Sequence, residues 1–168
     1  MHVVVTGGSR GIGEALAREF ARRGARVTVV ARSPDALQRV AADTGGNAHV
    51  ADLSDDSVVD GLIAAIEAAH GPVDVLVNNA GLETTLPFAV EDPRHIRAVS
   101  RINYEVPLLL ARQALPGMLA RGRGHLVFVS SLAGTAGFPG MAVYCGTKAA
   151  ILNFFASLRR ELKDSDVG

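Results

Sequence analysis

A run of valines feeding straight into a glycine-rich turn constrains this chain more than any other stretch. His2-Val3-Val4-Val5 is β-branched and does not alternate in polarity, which is the pattern of a parallel strand buried on both faces. Thr6-Gly7-Gly8-Ser9-Arg10-Gly11-Ile12-Gly13 follows at once, and then Glu14-Ala15-Leu16-Ala17-Arg18-Glu19-Phe20. Ile12, Leu16 and Phe20 recur at a spacing of four, so the spacing predicts a helix with that stripe against a sheet. Gly24, after Arg22-Arg23, is a helix stop. Strand, glycine turn and helix form the setting in which a dinucleotide's pyrophosphate approaches the backbone and sits at a helix N-terminus. The competing reading is an ordinary glycine-rich turn.

The rest of the chain alternates strands with helices, which argues for an α/β fold with a parallel sheet and crossover helices. Arg26–Ala31 reads as the second strand, and Ser33-Pro34 as the N-cap and first residue of a helix over 34–42. A short third strand spans 48–51. Ser54-Asp55-Asp56 opens the next helix with acids at its positive end, and His70-Gly71-Pro72 closes it. Val73 to Val77 is the fourth strand. Asp92-Pro93 starts a long helix containing Asn103, with Pro107 and Pro116 as points of bending. Gly122 and Gly124 precede a fifth strand in His125-Leu126-Val127-Phe128-Val129, and a last helix covers about 143–163. A single domain over residues 1–168 is expected, with no internal linker or repeat.

Composition narrows the partners. Seventeen basic residues balance seventeen acidic ones, with no basic tract, which argues against nucleic acid or an anionic membrane. Apolar residues make up 48% and charged residues 20%, ordinary for a globular protein, and no apolar run reaches the length of a membrane span. Cys145 is the one cysteine, so there is neither a disulfide framework nor a cysteine cluster for metal, and no metal site is expected. A cytoplasmic location is the default expectation.

One pair of side chains carries chemistry. Tyr144 and Lys148 stand four apart, so in a helix phenol and ammonium share a face. A nearby ammonium favours phenolate and draws a tyrosine down from its ordinary pKa of about 10. Such a phenol can exchange a proton with a carbonyl or alcohol oxygen. A solvated helix face is the plain alternative.

Thr6-Gly7-x3-Gly11-Ile12-Gly13 departs from the general Gly-x-Gly-x2-Gly fingerprint and resembles the short-chain dehydrogenase/reductase family. The resemblance recurs in order at Asp52-Leu53, Asn78-Asn79-Ala80-Gly81, Asn103, Ser130-Ser131 and Tyr144-x3-Lys148, and spans essentially all 168 residues. It implies a Rossmann-type doubly wound parallel sheet in the order 3-2-1-4-5. It also implies hydride exchange between a nicotinamide cofactor and a ketone or secondary alcohol. Tyr144 would be the acid or base, and Lys148 would lower its pKa and bond the nicotinamide ribose. Ser131, chosen over Ser130 by its thirteen-residue distance from Tyr144, would hold the substrate oxygen. Asn103 would hold a water linking Lys148 to solvent. Thr6, Gly7, Gly8, Ser9, Arg10, Gly11, Ile12 and Gly13 would cradle the cofactor phosphates. Asp52 and Leu53 would flank the adenine, while Asn79 ties strand ends together and Ala80-Gly81 lets backbone approach the ribose.

The second strand should end beside the adenosine ribose, where an acid would bind the 2′-hydroxyl and repel a 2′-phosphate. This chain has Ala31-Arg32 there and Arg10 in the glycine loop, and two guanidiniums suit a phosphate. NADP(H) is therefore expected in preference to NAD(H), against the alternative of two solvated arginines.

Family members usually continue with two more strands and a substrate lid, so the resemblance also implies a chain lacking those last two strands. Leu126, Val127, Phe128 and Val129 would then form an open edge, a hazard for pairing. Two readings stand: an NADP(H)-dependent oxidoreductase, or a catalytically poor nucleotide-binding remnant or interaction module. A 3-oxoacyl compound, a 3-ketosphinganine-like lipid and a generic ketone are equally open as substrates. Leu82, Leu132, Phe138 and Met141 are candidate apolar walls. A homo-oligomer, once the missing segment is supplied, would use Leu109, Leu110, Ile151, Phe154 and Phe155, some of which must instead face the sheet.

Overall fold

The computed structural model describes residues 1–168. Five parallel strands, β1 (His2–Thr6), β2 (Arg26–Ala31), β3 (Asn47–Val50), β4 (Val75–Asn78) and β5 (His125–Phe128), lie in the order β3-β2-β1-β4-β5. The register sets Val3 beside Val27 and Val75, and Leu76 beside Leu126. Because each crossover returns to the same end of the sheet, every strand ends its C-terminal residue on one rim.

Alternation along the strands divides the core. Val3, Val5, Val27 and Val29 face α1 (Gly11–Arg22) and α2 (Pro34–Thr44), whose Ala17, Leu37 and Val40 complete that layer. Val4, Val30, Leu76 and Leu126 face the other way, towards α3 (Asp56–Val59), α4 (Leu62–His70) and α6 (Val106–Arg121). Each fully buried valine or leucine contributes about 1.5–3 kcal/mol. The nearly unbroken valine runs are what a two-faced parallel sheet requires.

The expected helices form, with instructive differences. The helix opened by Asp55, whose carboxylate accepts from the Ser57 N–H at 2.9 Å, stops at Val59, and α4 restarts after Gly61. Gln113 on α6 mends this break: its amide donates to the Val59 carbonyl at 2.7 Å and accepts from the Ile63 N–H at 3.2 Å. The third and fourth strands run 47–50 and 75–78, each shifted from the expected span. The Asp92-Pro93 start holds, giving α5 (Pro93–Ser100), but a π-helical stretch at Arg101–Glu105 separates α5 from α6. Pro107 explains its place, since it lacks the N–H that the Asn103 carbonyl would accept in an α-helix. Pro116 sits within α6 without ending it.

Two expectations need correction. Ile12 does not face the sheet but is 64% exposed, because the first turn of α1 overhangs the strand ends and only Gly13 and Ala17 are buried there. The start of β5 is not an open edge: Leu126 N–H donates to the Gly168 carbonyl at 2.8 Å, Gly124 bridges Val167 in parallel sense, and Val167 is buried. Leu110 and Ile151 are core residues, and Phe154 and Phe155 on α7 (Ala142–Glu161) pack on Phe128 with ring centroids 5.6 and 6.1 Å away. Leu110 and Ile151 are thus among those turned inward, as expected of some of the five, while Phe154 and Phe155 stay partly exposed. No helix is long and apolar enough to cross a membrane.

Candidate active site

A groove of about 850 Å³ runs along the strand-end rim. It falls within the roughly 300–1,000 Å³ of small-molecule sites. Its floor is the glycine loop, where Gly7, Ser9, Arg10, Gly11 and Ile12 line it. Arg32 and Ser33 stand at one end, Asp52 and Leu53 form a wall, and Asn79, Ala80 and Gly81 continue it towards Leu82 and Ile102. Eleven of the cofactor residues expected from sequence thus meet in one cavity.

Thr6, Gly8 and Gly13 lie behind it and build it. Thr6 donates its hydroxyl to the Val77 carbonyl at 3.3 Å and accepts from the N–H groups of Asn79 and Ala80 at 3.1 Å each. Asn79 returns the bond, its amide donating to the carbonyls of Thr6 and Gly7 at 3.0 and 3.3 Å. A Cβ on Gly13 would collide with the Gly7 carbonyl oxygen and the Asn79 amide nitrogen, so only glycine lets the helix close on the loop. Gly7 has φ 65°, and a Cβ there would stand 2.9 Å from the Ala80 Cα. The two loops therefore meet as bare backbone, the surface a pyrophosphate can approach.

Arginines gather at the groove end. Arg10 and Arg32 enter none of the ion pairs that occupy the neighbouring arginines. Asp52 accepts from the N–H and hydroxyl of Ser54 at 2.9 and 2.8 Å, and these bonds, with the Arg32 charge adding to them, hold its carboxyl below the ordinary range. Arg39 on α2 also lines the groove, a residue the sequence reading passed over. The signal was its i+3 relation to Ala36 in a helix begun at Pro34, which sets both on one face. Bare backbone, unpaired guanidiniums and cavity size fit a phosphorylated dinucleotide.

The second cluster adjoins the groove at Gly81. A Cβ there would lie 3.4 Å from Asn103 Oδ1 and 3.9 Å from Lys148 Nζ. Lys148 is buried on α7 and donates to the Val129 carbonyl at 2.8 Å, and burial lowers its pKa. Its ammonium lies 5.7 Å from the centre of the Tyr144 ring, one helical turn before it. Ser131, three residues beyond β5, is the N-cap of a 3₁₀ turn (Leu132–Gly134), its Oγ accepting from the Ala133 N–H at 3.2 Å. Ser130 instead donates to the Lys148 carbonyl at 3.2 Å. Asn103 is buried, with Oδ1 accepting from Leu82 N–H at 2.7 Å and Nδ2 donating to the Leu82 carbonyl at 2.8 Å and Thr147 Oγ1 at 3.2 Å. That long-range bonding was invisible in the sequence. Of the candidate apolar walls, Leu82 lines the groove, while Leu132 and Phe138 are exposed at 81% and 45%.

The family model for short chain dehydrogenases matches residues 1–168. The chain is 37% identical to dehydrogenase/reductase SDR family member 7B from Rattus norvegicus, over 98% of this chain and 54% of that protein. It is 31% identical to the NADP-dependent 3-hydroxy acid dehydrogenase YdfG of Shigella flexneri, over 99% of this chain and 68% of that one. It superposes with a TM-score of 0.94 on the crystal structure of a metagenomic short-chain oxidoreductase in complex with NADP, at 38% identity, covering 99% of this chain and 78% of the other. The chain thus spans about half the length of the rat protein.

Proposed function

Because the chain belongs to the short-chain dehydrogenase/reductase family, we propose that it forms the cofactor-binding and proton-transfer part of an NADP(H)-dependent oxidoreductase interconverting a ketone and a secondary alcohol. The observation that carries this reading is the convergence of Tyr144, Lys148 and Asn103 on the end of a groove whose other end holds the unpaired Arg10 and Arg32. A bound nicotinamide supplies or accepts the hydride. The chain's own residues do the rest.

Tyr144 presents its hydroxyl as acid for ketone reduction or base for alcohol oxidation. Lys148 uses one N–H on Val129 and keeps two donors for ribose hydroxyls, while its charge steadies negative charge left on the phenol oxygen. Ser131 accepts from Ala133 and so retains its O–H for the substrate oxygen, whereas the Ser130 hydroxyl is committed to Lys148. The Asn103 amide is bound on both sides, so a water relaying protons to Lys148 falls to its main-chain carbonyl, which Pro107 leaves without an α-helical donor. Asn79 and Thr6 keep the loops closed. NADP(H) is preferred to NAD(H) in this reading because neither Arg10 nor Arg32 is held in an ion pair. The substrate is a small carbonyl or alcohol compound, with the 3-oxoacyl and 3-ketosphinganine-like classes as candidates, and a cytoplasmic homo-oligomer completes the proposal.

Titrating the purified chain with NADPH and NADH tests it. NADPH is expected to bind more tightly, and Arg32→Asp to reverse the order. Equal affinities in the parent, or an unchanged ratio in the variant, would defeat the cofactor assignment.

A further inference from the structure

Charge around the groove end is not fully described by Arg10 and Arg32. Arg39 lines the same groove from α2, one turn beyond Ala36, which also lines it. Its guanidinium donates to both oxygens of Glu14 at 3.2 and 3.3 Å. Glu14 itself does not line the groove, so these bonds tie Arg39 to a side chain outside it. Glu14 also holds Arg18 at 2.9 Å, and Arg18 pairs with Asp43 at 2.6 Å. Two acids are thus shared between two arginines, and nothing in that network neutralises Arg10 or Arg32.

The Arg39 bonds to Glu14 lie at the long end of the hydrogen-bond range and occupy two of its five N–H donors. A guanidinium held by one carboxylate keeps three donors available for a ligand. We propose that Arg39 is a specificity-determining residue, a third guanidinium that bonds the adenosine 2′-phosphate together with Arg10 and Arg32. The inference rests on the NADP(H) reading above and adds a residue to it. Arg39 then contributes only when the 2′-phosphate is present, because a ribose hydroxyl offers no charge to attract it.

Calorimetric titration of the 168-residue chain with 2′,5′-ADP and with 5′-ADP separates the possibilities. The parent is expected to bind 2′,5′-ADP more tightly. Arg39→Ala should weaken 2′,5′-ADP by about tenfold or more, the scale of a lost hydrogen bond to a charged group, and leave 5′-ADP within about twofold. Arg39→Lys, which keeps the charge without the fork, should fall between parent and alanine. If the parent prefers 2′,5′-ADP and Arg39→Ala keeps the same ratio, the Arg39 role is overturned while the NADP(H) reading stands. A variant that weakens both ligands equally also overturns it. A parent with no preference, or no binding, removes the NADP(H) reading and Arg39's role with it. Arg39 is surface-exposed, and an unchanged circular dichroism spectrum confirms that each variant is folded.

Discussion

At the scale of single residues, two titratable side chains are buried for different purposes. Lys148 gives up most of its hydration to stand beside Tyr144, and burial lowers its pKa while the Val129 carbonyl holds one proton. Tyr144→Phe keeps the ring and loses the hydroxyl, so turnover of the active enzyme should drop by two to four orders of magnitude, roughly the contribution of a positioned acid or base. NADPH affinity should stay near the parent value, and activity close to the parent's would show that another group carries the proton. His2 lies at the opposite end of the sheet. Its ring bonds the Gly71 carbonyl at 2.9 Å and Thr28 Oγ1 at 2.9 Å, with His70 edge-on at 6.4 Å. Burial above all, with the charges of Arg26 and His70, lowers its pKa below 6.5. The unfolded chain therefore binds a proton that the folded one resists. The stability from neutral His2 is complete above pH 6.5 and is lost as pH falls from there towards its lower folded value. Thermal melts between pH 7.5 and 5 should show a falling midpoint, and a shallower fall in His2→Gln. Equal slopes would remove His2 as the cause.

At the scale of elements, the site depends on departures from regularity. The π-helical stretch places Asn103 against the Leu82 backbone, where one amide serves both an N–H and a C=O. Asn103→Ala would leave those groups unpaired at about 1–3 kcal/mol each. Hydrogen exchange should report faster opening around Leu82 than around Val4, and uniform protection would contradict this role. The glycine turn was legible from sequence because strand, turn and helix each announce themselves locally. The orientation of Ile12 was not, since a spacing of four cannot tell whether a helix's first turn lies over the sheet or beyond it. The break between α3 and α4 escaped notice because Gly61 looks like a tolerated helical glycine, and its repair by Gln113 comes from fifty residues away. Arg39 looks like any solvated arginine until α2 is laid over the rim. Tyr144 and Lys148 were visible as a pair because their relation lies within a single turn, whereas the choice of Ser131 over Ser130 gains a physical reason only from their separate hydrogen bonds.

At the scale of the whole molecule, the groove is made from the ends of β1, β2 and β4 together with the loops that follow them, so a ligand that fills it holds the sheet together. A cofactor at about one hundred times its Kd stabilises the folded chain by about 2.7 kcal/mol. For a chain of this size that raises the melting midpoint by on the order of 5–10 °C. Differential scanning with NADPH should show this shift, and a flat response would argue that the groove does not take the nucleotide. The same topology has a consequence in time as well as in space. β1 meets β2 through a local crossover, but its other neighbour, β4, begins more than seventy residues away, with Val3 beside Val75. The bonds from Asn79 and Ala80 to Thr6 close loops of 73 and 74 residues. Closing such loops costs entropy before any contact rewards it, and contacts distant in sequence form late. The glycine turn therefore exists for a while facing nothing. During refolding, nucleotide binding should lag behind the appearance of helix, and the opposite wall of the groove is what it waits for.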